Sequence, residues 1–170
     1  MFKNKSYKYI LCSLTLVFIS FWIVKAADTG TVTATVTAQN ISVTVSDGTV
    51  TYGTIATSST SDTASGDLDD SQTANNNGNI TEDFNIKGQD SGAWTLGGTA
   101  GSETYTHKFC ITDCDGSPVW TALTTNYQTL AEDIAASGDQ VFDLQIGTPT
   151  STSTYTEQSV DVTVQAVAAS

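Results

Sequence analysis

Thr31-Val32-Thr33-Ala34-Thr35-Val36-Thr37-Ala38 alternates without a break, with threonines on one face and small apolar residues on the other. A period of two is strand geometry, and Thr and Val suit a pleated, half-buried surface. The alternation resumes at Ile41, Val43 and Val45, and Asp47-Gly48 then separates it from Val50, Tyr52 and Ile55. Asp-Gly between alternating runs favours a type I′ hairpin turn, which needs positive φ at both central residues. Strands are therefore expected near 31–38, 41–46 and 49–55, with the last two joined as a hairpin.

Residues 56–79 differ in kind. They are rich in Thr, Ser, Asp, Asn and Gly, and Leu68 is their only large apolar residue. This composition predicts a long polar loop, or a loop pinned by Leu68 with an irregular edge strand, either solvated or ligand-binding. Strand patterns return at Ile80, Phe84 and Ile86, at Trp94 and Leu96, and at every second position from Tyr105 through His107 and Phe109 to Ile111. Further candidates are 119–123, 142–146 and 160–166. Leu123, Tyr127, Leu130 and Ile134 are spaced 4, 3 and 4 apart, which suits a short helix ending at Gly138, although Thr124 and Thr125 disfavour it. Many short strands punctuated by Gly, Asn, Asp and Ser point to an all-β, antiparallel β-sandwich of the immunoglobulin-like kind.

The N-terminus has a different purpose. Met1 to Tyr9 carries three lysines and no acid, an almost uninterrupted apolar stretch of fifteen residues follows from Ile10 to Val24, and Val24-Lys25-Ala26 suits cleavage. That is the layout of a secretory signal, and fifteen residues fall short of the roughly 20 needed to span a bilayer. The expected organisation is a signal peptide at 1–26 and one sandwich domain at 27–170, exported to the cell surface or beyond. Cleavage removes Lys3, Lys5, Lys8 and Lys25. The formal charge then moves from −12 to −16, because only Lys87 and Lys108 oppose 18 carboxylates. Nucleic acids and anionic membrane surfaces are bound by clustered cations, so neither is an expected partner.

Several later segments carry a resemblance. Asn77-Gly78-Asn79 enters a strand, Trp94-Thr95-Leu96-Gly97 follows a turn, and Ala136-Ser137-Gly138 precedes Val141-Phe142-Asp143-Leu144. Glu157-Gln158-Ser159-Val160 leads into Val162-Thr163-Val164. Together they resemble the small secreted immunoglobulin-like β-sandwich proteins of prokaryotic cell surfaces, especially the single-domain envelope proteins of uncultivated bacterial lineages. The resemblance covers roughly 27–170 and implies fold and location. It transfers no catalytic residue.

Few constellations carry chemistry. Cys110 and Cys114 are the two cysteines beyond the signal, and in an exported chain they most simply close a short disulfide loop. A zinc site would need four ligands, and His107 alone lies near them. Asp113 and Asp115 precede Gly116 in an Asp-x-Asp-Gly fragment that suits calcium, but Ser117-Pro118-Val119-Trp120 follows where a bidentate acid is needed. Asp67, Asp69 and Asp70 form a second acidic cluster that could also bind calcium, but solvated carboxylates that confer solubility are the preferred reading. Trp94 and Trp120 could stack on a sugar, or fill the core. His107, the sole histidine, shares a strand face with Tyr105 and Phe109, as a packed histidine does. No Gly-x-Ser-x-Gly elbow is present, and the paired acids Glu82-Asp83 point to opposite faces of a strand. No enzymatic activity and no obligatory cofactor are expected.

The expected function is a secreted structural protein of the cell surface or extracellular matrix. An alternating strand freed at the new N-terminus can complete a neighbour's sheet, and head-to-tail repetition of that exchange builds a filament. The alternatives are pairing of this strand within its own domain, and an adhesin module that binds a glycan or a partner protein through its loops and aromatics.

Overall fold

A computed structural model describes residues 28–66 and 68–170. The secretory segment expected at 1–26 and the acidic residue Asp67 lie outside them. Contacts group the chain into two units, 1–37 and 38–170. In the first, the described residues 28–37 are all exposed and contain no strand. Val32 and Val36 are 91% and 96% exposed. The strand expected at 31–38 is therefore not formed. Alternation marks a segment that suits a sheet, but strand structure also requires hydrogen bonds to a neighbouring strand, and an isolated strand has none.

The second unit is an all-β sandwich with no helix among its described residues. Its ten strands are β1 (Val43–Ser46), β2 (Thr60–Asp62), β3 (Gln72–Asn76), β4 (Glu82–Lys87), β5 (Thr95–Leu96), β6 (Thr104–Cys110), β7 (Thr121–Ala122), β8 (Gln128–Ile134), β9 (Asp139–Gly147) and β10 (Thr163–Ala168). The larger sheet runs β1-β3-β9-β6-β5, with β2 added on β9 and β7 on β6. β3 pairs with the first half of β9 and β2 with the second half. The pairings are antiparallel except β5 with β6. The smaller sheet is β10-β4-β8, also antiparallel.

The two sheets meet over one apolar layer. Phe84 and Ile86 of β4 and Leu130 of β8 face Ala74 of β3, Phe109 of β6, and Phe142 and Leu144 of β9, with Leu123 closing the cluster. The two-residue period brings Phe84 and Ile86 to the same side of β4, and Phe142 and Leu144 to the same side of β9. Each such side chain contributes about 1.5–3 kcal/mol on burial. Val162, Val164 and Ala166 extend the layer along β10 and its approach, partly buried.

Three expectations are corrected. Asp47 and Gly48 do take positive φ, 64° and 72°, as a type I′ turn requires. Yet β1 pairs with β3 in the register Val43↔Asn76, and 49–55 forms no strand. Turn dihedrals are local, whereas pairing is decided by whichever edge offers the better packed partner. Second, the polar stretch at 56–79 is not one loop, because it contains β2 and β3. β3 is buried through hydrogen bonds: Asn76 Nδ2 donates to the carbonyls of Ile80 and Ile134, both at 2.9 Å, and Asn76 Oδ1 accepts from Gly78 N at 2.8 Å. Third, the helical spacing from Leu123 to Ile134 belongs to β8 and the segment before it. Leu123 and Leu130 are both buried, but they reach the core from different places.

Candidate functional site

The feature that stands out is an unprotected sheet edge. A strand with one partner exposes a row of N–H and C=O groups that can recruit another chain, and proteins blunt such edges by shortness, charge or bulges. Most edges here are blunted. β5 and β7 have two residues each, β2 has three, ending in Asp62, and β1, although uncharged, has four and runs straight into Asp47. β8 carries Glu132 and Asp133, its register with β4 is irregular, and Asp133 adopts φ 57°. The Asp133 N–H is occupied by Asp83 Oδ1 at 2.9 Å.

β10 has none of these protections. Its six residues, Thr-Val-Gln-Ala-Val-Ala, include no charge and no proline, and its one partner among the described residues is β4. Val164 lies opposite Ile86 and Ala166 opposite Phe84, so both face the core, yet both remain half-buried. Val160 and Val162 continue the same half-buried alternation upstream. The apolar layer is thus incompletely covered along this margin. The loop before β10 is well anchored: Gln158 Oε1 accepts from Ser91 Oγ and Ala93 N, each at 3.0 Å.

Thr49–Ile55 is a second open element. Val50 and Tyr52 pack against the same core cluster as Val164 and Ala166. Among the described residues this segment makes no backbone–backbone hydrogen bond. A cavity of about 410 Å³ opens beside it, between Tyr52, Ser61, Asp62 and Leu68.

Tyr52 also reaches the buried His107, with its hydroxyl 3.2 Å from Nε2. Among the described residues Nδ1 has no partner, and His107 is 3% exposed. Burial alone lowers the His107 pKa from 6.5 to about 4, because a charged ring here would be desolvated with one N–H bare. Burial, followed by the charges of Asp62, Asp70 and Asp143, pushes the Tyr52 phenol well above its usual range. His107 is neutral at pH 7 and packed between aromatics, with Tyr52 edge-on and Tyr105 tilted.

The residues singled out from the sequence lie in separate places. Cys110 and Cys114 form a disulfide, with Cα atoms 5.9 Å apart, at the end of β6. It staples one turn and does not join the sheets. Asp113 and Asp115 are exposed on that turn, where the Asp113 carbonyl accepts from Gly116 N and Ser117 N. Among the described residues no group of three or more acids, histidines or cysteines is placed to hold a metal. Trp94 and Trp120 are half-buried and precede different strands, β5 and β7. Trp94 Nε1 donates to Thr152 Oγ1 at 2.9 Å, and its ring leans on Tyr105 with centroids 6.3 Å apart. Thr152 Oγ1 in turn donates to Glu103, and this bond, with a second from Ser153 N, lowers the Glu103 pKa. Trp94 is thereby a loop anchor.

Sequence reasoning missed two buried acids. Asp143, 5% exposed, accepts from Thr63 Oγ1 and Ser71 Oγ, both at 2.8 Å. Glu82 is fully buried, with Oε1 accepting from Ser42 N at 2.9 Å and Oε2 unpartnered among the described residues. Nothing local distinguishes them from the exposed acids, since their partners are 40 to 80 residues away. No family model, curated protein or solved structure matches the chain.

Proposed function

We propose that this protein is a secreted structural subunit of the cell surface or extracellular matrix, polymerised when the N-terminal segment of one copy adds as a strand to the sandwich of the next. The observation that carries the reading is Thr31–Ala38, eight residues of uncharged strand sequence whose apolar face stands in solvent. Leaving Val32 and Val36 exposed forfeits about 1.5–3 kcal/mol each, and strand addition recovers it together with a ladder of backbone hydrogen bonds. An interaction that uses one terminus as donor and another surface as acceptor is heterologous. Repeated without ring closure it grows into a fibre. Export suits the Cys110–Cys114 disulfide, since such bonds persist in oxidising compartments.

The test is negative-stain microscopy of the protein lacking residues 1–26, beside a variant that begins at Gln39. Filaments are expected from the first and dispersed particles from the second. Filaments of equal abundance from both would overturn the reading.

A further inference from the structure

We infer that the acceptor is the free edge of β10, and that Thr31–Ala38 of a second copy pairs with it as the fourth strand of the smaller sheet. The inference rests on the strand-addition reading above and adds to it the place where the donor docks.

Hydrogen-bond accounting supports this place. Extended backbone that packs on a core normally pairs its N–H and C=O groups. Here two such stretches do not. β10 is paired along one side, and Thr49–Ile55, whose Val50 and Tyr52 touch the core, has no backbone partner among the described residues. Both stretches line the same apolar layer. A strand occupies about 4.8 Å in the pairing direction, so one added strand supplies partners to an edge and covers a margin of that width.

The donor matches in period, length and polarity. Val32, Ala34, Val36 and Ala38 would face inward beside Val164 and Ala166, and the four threonines outward beside Thr163 and Gln165. Small inward residues suit a margin that Val162 and Val164 already fill in part. Eight residues of strand span about 26 Å against about 20 Å for the six of β10, so the donor pairs along the full edge. Neither strand carries a charge, so their approach sets no like charges opposite one another in a strongly acidic protein. Of the other edges, β1 is uncharged but has four residues, half the donor's length, and the rest are shorter or carry acids.

Disulfide trapping reads the contact directly. Thr33, Thr35 and Thr37 are replaced one at a time by cysteine in chains that also carry Gln165→Cys. Each double variant is assembled under mild oxidation and run on a non-reducing gel. A ladder of covalent oligomers is expected from at least one pair, with more than half of the assembled protein in the ladder. Thr129→Cys on the acidic edge strand β8, combined with the same donor cysteines, should stay monomeric. Filaments without a ladder from any Gln165→Cys pair, or a ladder from Thr129→Cys instead, would overturn the β10 assignment and leave strand addition standing. A cross-linked monomer would show that the segment folds back on its own domain. That outcome, or a failure of the unmodified protein to polymerise, would overturn both readings.

Discussion

Buried polar side chains hold much of this sandwich in register, and their removal is expected to cost more than their chemistry suggests. Gly78 is required by close approach. A Cβ at this position would run into Glu82 Oε1 and come within 2.5 Å of the Asn40 carbonyl. Gly78→Ala should lower stability by about 1–3 kcal/mol, as overpacking does, measurable by urea unfolding. His107 makes a prediction in pH. Its folded pKa is about 4 against 6.5 unfolded, so the unfolded chain binds the proton first as pH falls. The contribution is complete above pH 6.5 and declines toward pH 4, by about 3 kcal/mol for this group. His107→Phe should unfold with a shallower pH dependence between 6.5 and 4 than the parent, and equal slopes would contradict the assignment of a buried neutral ring. From sequence alone His107 is legible as a packed residue, because it alternates with Tyr105 and Phe109. Glu82 and Asp143 are not legible, because what buries them is a set of hydroxyl and amide donors brought in from distant strands.

At the scale of elements, the strands read correctly from the sequence include those that turn apolar side chains to the core at every second position: β1 through Val43 and Val45, β4 through Phe84 and Ile86, β6 through Tyr105 and Phe109, β9 through Phe142 and Leu144, and β10 through the half-buried Val164 and Ala166. β3 was hidden because Gln72 and Asn76 are buried by hydrogen bonding and Ala74 is its one apolar residue. The hairpin at Asp47-Gly48 failed for a complementary reason, since the turn formed with its expected dihedrals while β1 took β3 as its partner. The Cys110–Cys114 loop was legible in full. Its ring is so short that loop closure accounts for only about 2 kcal/mol. Replacing both cysteines by serine should cost no more than this in urea unfolding and leave polymerisation unchanged. Loss of filaments in that variant would mean that the turn itself is part of the contact.

For the whole molecule, the donor half of the proposed contact was visible as the alternation of Thr31–Ala38, whereas the acceptor was not. Which strand lies at an edge is a property of sheet order, and the order β10-β4-β8 is set by contacts between residues 42 to 86 apart. Charge bears on assembly at this scale. Without residues 1–26 each copy carries −16, so copies repel at low salt and the uncharged strands must meet against that repulsion. Raising ionic strength from about 0.01 to 0.15 M shortens the screening length from about 30 to 8 Å and should lower the concentration at which polymer sediments. Polymer that dissolves on adding salt would instead indicate contacts between opposite charges. The most direct measurement is amide hydrogen exchange across Thr31–Ala38 in dilute protein and in the assembled state. Strand addition predicts exchange near the free-chain rate in the dilute protein and strong protection once assembled. Protection already present in the monomer, or none in the polymer, would contradict it.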